Sequence, residues 1–367
     1  MKKLADVLIG YSTKVQPGER VLIDAYDIPP EMTGVLVDRV VEAGGLPFVN
    51  THQATVRRKL ILRGTDEQME VSAKHALAFM QDMQCYIAVR GGLNVTEMAD
   101  VPDEQIKLHE THHKPVLDYR VTKTKWVVLR WPSSSMAQLA SMSTEQFEDF
   151  YFDVCTLDYA RMAKAEEPLK ELMDRTDKVR LVGPKDTDLT FSIKGIPAIP
   201  CVGDRNIPDG ECYTAPVRDS VNGVIHFNAG TIYHGKPFDD IRLVFRDGKI
   251  IEATGSDTKA LNDILDADEG AANARFSHCI EEARVLGGFE RDLGEEIEVS
   301  GQFGQLLHQL EFFGANRLEL GCFLVVALFF SIGDIGKRDR VEVVVGEEDK
   351  TEPESPQLDD FFNHRKS

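Results

Sequence analysis

Residues 108–115 read LHETHHKP, and within them His109, Glu110 and His113 stand in the order H-E-x-x-H. On a helix this spacing puts both imidazoles on one face with the carboxylate beside them. Two imidazoles can hold a zinc ion, and the carboxylate can take a proton from a zinc-bound water that attacks a peptide carbonyl. Pro115 follows two residues after His113. A proline pushes the residue before it out of the helical region, so the helix is expected to end near its second would-be ligand. No third ligand stands in a recognisable motif downstream. The competing reading is a polar helix end whose histidines complement the helix dipole. His109 and His113 are therefore kept as an alternative metal pair, ranked below that plainer reading.

A second candidate stands at residues 206–217, NIPDGECYTAPV, where Glu211 follows a Pro-Asp-Gly turn signal. Taken alone, Glu211 reads as a solvated turn glutamate. Cys212 and Tyr213 beside it read as packing residues.

The elements that must position these residues follow a rhythm. An amphipathic helix runs to Gln16-Pro17-Gly18, and the apolar run RVLID at 20–24 then reads as a buried strand. Helical spacing over 31–43 stops at Gly44-Gly45, and LPFVN at 46–50 is the next strand. CYIAVR at 85–90 and KWVVLR at 125–130 continue a strand–helix alternation that predicts a parallel sheet. Helices are expected from about residue 144 and over 158–175. From 178 the texture changes to short strands, 179–182, 189–193, 223–227 and 241–245, with a hairpin signal at Arg246-Asp247-Gly248-Lys249. The fold class expected is an α/β N-terminal domain with a largely parallel sheet, plus a β-rich α+β second domain that is incomplete or altered. The divisions are 1–175, 176–271, an atypical segment 272–345 without clear strand–turn rhythm, and a charged, disordered tail at 346–367.

The 367 residues carry 42 Lys and Arg against 61 Asp and Glu, a formal charge of −19. Such a surface repels phosphate backbones and anionic lipid, so no nucleic-acid or membrane partner is expected, while divalent cations are not excluded. The longest apolar run, CFLVVALFF at 322–330, falls far short of the ~20 residues of a spanning helix. No secretory signal follows the charged start. Cys85, Cys155, Cys201, Cys212, Cys279 and Cys322 lie far apart without a C-x-x-C, which suits reduced thiols and a cytoplasmic location.

The block at 206–217 resembles the N-x-P-x-G-E-x-x-T-A-P segment of the thermophilic aminopeptidases, the M29 metallopeptidase family. Asn206, Pro208, Gly210, Glu211, Thr214 and Pro216 match it. Other segments agree in order and spacing. Gln16-Pro17-Gly18-Glu19 resembles the approach to the family's first strand, and the stretch from Arg90 through Asn94 and Thr96 to Glu97 resembles R-x-x-x-N-x-T-E. Arg130-Trp131-Pro132, Thr187-Asp188-Leu189 and Asp266-Ala267-Asp268-Glu269-Gly270-Ala271 extend the resemblance over residues 1–271. It implies a metal-dependent aminopeptidase that releases N-terminal residues from peptides. It also implies a homodimer, and two divalent ions per site (Zn, Co or Mn) held in the second domain by two Glu, two His and an Asp, with an assisting Tyr. The Glu of G-E-x-x-T carries over to Glu211. Two ions could bridge a hydroxide, hold the substrate's α-amine and polarise the scissile carbonyl.

After Ala271 the resemblance stops. The chain reads ANARFSHC at 272–279 where the family has an arginine and a second G-E. No D-E-x-x-G-x-x-H, G-x-x-Y or H-x-D follows, and no tyrosine stands after Tyr233. Two readings stay open: a shifted reading frame near residue 272, or a non-catalytic relative that keeps the scaffold for binding or structure. Either predicts weak metal binding and little peptidase activity for the chain as written, because one Glu cannot hold a catalytic metal pair. A zincin-like protease using His109, Glu110 and His113 is the remaining alternative.

Overall fold

The computed structural model describes residues 1–183, 185–227, 230–233, 236–265, 297–300 and 340–346. The chain opens with α1 (Lys2–Asp6), which continues as a π-helical stretch over Val7–Ser12. There follow β1 (Arg20–Tyr26), α2 (Pro30–Glu42), β2 (Leu46–His52), α3 (Ala54–Arg63), α4 (Asp66–Gln81), β3 (Cys85–Arg90), α5 (Asp103–Lys123) and β4 (Lys125–Arg130). Then come α6 (Ser134–Leu139), α7 (Thr144–Cys155), α8 (Tyr159–Arg175), β5 (Lys178–Val182), β6 (Asp188–Ser192), β7 (Ile199–Cys201), β8 (Asn206–Ile207) and β9 (Glu211–Tyr213). The remainder is β10 (Asn222–His226), β11 (Thr231–Tyr233), β12 (Lys236–Phe238), β13 (Arg242–Arg246), β14 (Lys249–Thr254), α9 (Thr258–Leu265), β15 (Ile297–Ser300) and β16 (Arg340–Gly346).

The first half is the expected α/β unit. Its sheet is parallel in the order β2-β1-β3-β4-β8. Residues 21–25 of β1 are all buried because helices cover both faces, which is why the strand reads as an apolar run interrupted by Asp24. Val21, Ile23, Ile87, Val127 and Leu129 form one core with Leu4, Leu8, Leu36, Phe147 and Tyr159.

One expectation about this half is corrected. The helix holding His109 and His113 does not stop before Pro115; α5 runs through it to Lys123. An interior proline leaves the Thr111 carbonyl without its helical partner and costs about 3 kcal/mol. Packing on both sides offsets this. Ile106 and Leu108 lie against the Ile61–Met69–Val101 cluster, and Val116 and Tyr119 lie against Leu22, Met80 and Tyr86.

The second sheet has the order β14-β13-β10-β6-β5-β16-β15, with every pairing antiparallel. Asp247 and Gly248 make the β13–β14 turn with φ of 48° and 75°, the two left-handed positions a tight hairpin needs. Leu189, Phe191, Val179 and Phe245 meet Leu169 and Met173 of α8 in a second core. Helix α8 thus serves both cores, through Tyr159 at its start and Met173 near its end. Segment 272–345 has no clear strand–turn rhythm in its sequence. Two of its stretches nonetheless pair: β16 lies antiparallel to β5, and β15 to β16. The rest of that segment, and the tail after Gly346, lie outside the described residues. No helix among the described residues is long and apolar enough to cross a membrane.

Candidate metal centre

The motif around Glu211 is held from two sides. Asn206 and Ile207 pair with Val128 and Leu129 as the outer strand of the parallel sheet, and the Val128 N–H donates to the Arg205 carbonyl at 2.8 Å. Ile207 is buried in the first core. After Pro208 the chain turns back. The Gly203 N–H donates to Asp209 Oδ2 at 2.8 Å, and the Asp209 N–H donates to the Tyr159 hydroxyl at 3.4 Å. Tyr11 and Ser12 brace the same loop, donating to the carbonyls of Val202 at 2.8 Å and Gly203 at 2.6 Å. Gly210 has φ of +135°, and a Cβ there would stand 3.0 Å from Met162 Sδ, so glycine is the residue that fits.

Glu211 then starts β9, opposite Cys201 of β7. Cys212, next along β9, is fully buried in the second core, and Glu211 is half-buried. Thr214, buried, donates to the Pro197 carbonyl at 3.2 Å, and Pro216 is buried after it. Asn206, Pro208, Gly210, Thr214 and Pro216 therefore form the frame around Glu211.

Beside Glu211 stands a carboxylate that sequence reasoning did not single out. Glu166 of α8 is 7% exposed, and neither of its carboxylate oxygens has a hydrogen-bond partner. Burial, and then the negative charge of Glu211, push it up to about 8. The signal was in the spacing. Tyr159, Met162, Glu166, Leu169 and Met173 share one helical stripe, and four of them pack into the cores. An acidic residue on such a stripe is unusual because a buried carboxylate needs a proton, a cation or donors.

The surroundings are negative. Burial raises the Tyr11 hydroxyl, and Asp204, Asp209, Glu166 and Asp158 raise it further. Burial followed by Asp209, Glu211 and Glu166 raises the Cys201 thiol, and Cys212 is pushed up to about 12 by burial and Glu166. Both thiols are therefore held protonated at neutral pH. Lys170 is nearby but is ion-paired with Asp174.

The other titratable clusters are arranged differently. His109 and His113 do share a face of α5, with ring centroids 4.0 Å apart. His113 Nδ1 lies 3.1 Å from the His109 carbonyl, and the Arg57 guanidinium lies 3.4 Å from His109 Nε2. Burial, then His113 and Arg57, hold His109 down at about 3. At the second sheet, His226 bridges Asp186 at 3.1 Å and Asp240 at 2.9 Å, and Arg242 and Lys185 pair with the same carboxylates. Among the described residues no three His, Cys, Asp or Glu side chains gather as a group that could hold a metal ion. Glu166 and Glu211 supply hard oxygen donors of the kind divalent cations take, so they fit part of such a centre. Residues 272–296 and 301–339, after the point where the resemblance stops, lie outside the described residues.

The model of the family described as thermophilic metalloprotease (M29) matches residues 1–274. Aminopeptidase 2 of Geobacillus stearothermophilus is 34% identical over 67 residues, which is 18% of this chain and 16% of that enzyme's length. The structure is similar to wild-type AmpT from Thermus thermophilus, with a TM-score of 0.63 and 20% identity over 74% of this chain and 75% of that one. At that identity the likeness shows the fold.

Proposed function

The chain belongs to the M29 family of thermophilic metalloproteases, and from that membership we propose that it is a metal-dependent aminopeptidase acting on the N-termini of peptides. Glu211 is the residue we assign to the metal. The observation that carries the assignment is the placing of Glu211 on β9, framed by the motif and set against a buried carboxylate with no partner. Two carboxylates in that position are both ionised at neutral pH only with positive charge nearby; without it Glu166 keeps a proton. A bound divalent ion, Zn, Co or Mn and two per site by analogy with the family, would polarise the scissile carbonyl and make a bound water acidic. The chain's own part is to position Glu211 through the loop that the Tyr159–Asp209 and Gly203–Asp209 hydrogen bonds hold. A cytoplasmic homodimer, with the first domain helping to enclose the site, completes the reading.

The His109–His113 pair ranks below this site. The Arg57 cation stands against one of the imidazoles and opposes a dication there. A non-catalytic scaffold is the second reading, favoured by the lack of a three-ligand group among the described residues. Hydrolysis of a leucine anilide by the purified chain, with Co²⁺, Zn²⁺ or Mn²⁺, separates the two. Metal-dependent turnover lost in Glu211→Gln supports the aminopeptidase reading. Soluble, folded protein without turnover under all three ions would leave the scaffold reading.

A further inference from the structure

We propose that Glu166 is a second carboxylate ligand of the cation assigned above to Glu211, contributed by helix α8 from outside the sequence motif. This inference rests on the Glu211 reading and names a residue that the motif does not contain. Three observations carry it.

First, the place is specific. Glu166 occupies the stripe that otherwise packs Tyr159, Met162, Leu169 and Met173 into the two cores. An apolar residue there would simply continue the stripe, so the carboxylate has to be accounted for.

Second, the group is buried and orphaned. It is 7% exposed, and both oxygens lack a hydrogen-bond partner. Three carboxylates of the second domain show the contrast, each paired with a cation: Asp188 with Arg180, Asp240 with Lys185, and Asp186 with Arg242. Lys170, the ammonium near this spot, is taken by Asp174.

Third, the neighbour is Glu211. The two acids act on each other through their charges, and each also acts on Cys201 and Cys212. Helix α8 packs across both β7 and β9, which brings its buried face to the strand that carries Glu211. A divalent cation between two such oxygens converts repulsion into coordination, and carboxylate pairs suit Mn²⁺, Co²⁺ or Zn²⁺.

The test is Mn²⁺ binding to the full chain, by calorimetric titration and by the Mn²⁺-induced rise in melting temperature, in wild type, Glu166→Gln and Glu211→Gln. Both variants are expected to bind Mn²⁺ at least ~10-fold more weakly. Metal-free Glu166→Met is expected to melt above metal-free wild type, because a buried carboxyl without a hydrogen-bond partner is gone. Glu166→Met continues the apolar stripe and gives the same readout should the amide fold poorly. Wild-type Mn²⁺ affinity in Glu166→Gln or Glu166→Met, with affinity lost in Glu211→Gln, overturns the role of Glu166 and leaves Glu211 standing. No Mn²⁺ binding by wild type overturns both.

Discussion

The hydroxyl of Tyr159 accepts the Asp209 backbone N–H at 3.4 Å while donating to the Val154 carbonyl at 3.0 Å. Tyr159 begins α8, and Asp209 precedes Glu211 by two residues. One buried ring therefore ties the helix that carries Glu166 to the loop that carries Glu211. Small changes around that ring should be felt at both carboxylates.

Gly203→Ala tests the tie. Gly203 has φ of +78°, and a Cβ there would stand 2.5 Å from Tyr159 Cδ1. The ring, fixed in the first core, cannot give way cheaply. Left-handed strain and overpacking together should cost about 2–4 kcal/mol. Urea denaturation reads the loss directly; an unchanged midpoint would mean that the loop is not set by the ring.

Glu166 gives a pH signature in the metal-free protein. It titrates at about 8 when folded and near ~4.3 when unfolded. Between those values the folded state binds more protons, so stability falls as pH rises. The stabilising contribution is complete below ~4.3 and is lost as pH passes through about 8. A loss on the order of 1–3 kcal/mol is expected once local relaxation is allowed for. Melting temperatures from pH 5 to 9 in chelator should drop for wild type relative to Glu166→Gln. Parallel curves would place the proton elsewhere.

The α5 histidines act at the other end of the scale. His109 is held down at about 3 and His113 is lowered as well, in both cases chiefly by burial. Groups with depressed folded values favour the folded state above ~6.5, their unfolded value, and that preference is lost as pH falls toward the folded value. Wild type should therefore lose stability between neutral pH and pH 4 more steeply than His109→Gln. Equal slopes in chemical denaturation at pH 7, 5.5 and 4.5 would refute the assignment.

Much of the α/β half was legible because its signals are local. Leu46 to Asn50, Cys85 to Arg90 and Lys125 to Arg130 are apolar runs of strand length, and Asp247-Gly248 is a turn by backbone requirement. What escaped depends on neighbours remote in sequence. Pro115 reads as a stop until the packing of Val116 and Tyr119 is known. Asn206 and Ile207 have no strand pattern of their own and are held by β4. Glu166 is hidden for a different reason: it belongs to no motif, and its oddity lies in helical phase. Glu211 came from a resemblance and would otherwise have remained a turn residue.

The pairing of Asn206 and Ile207 with β4 has a consequence for how the chain can be divided. A fragment ending at residue 175 would keep every earlier strand of the parallel sheet yet leave the outer ladder of β4 open, and it would vacate the core position filled by Ile207. An open edge of that kind is a template for pairing with another molecule. Such a fragment should elute as oligomers in size-exclusion chromatography, whereas one reaching past Ile207 should not. The break between α/β and β-rich texture near residue 176 is thus a change of architecture, and autonomous folding has to be sought at a different cut.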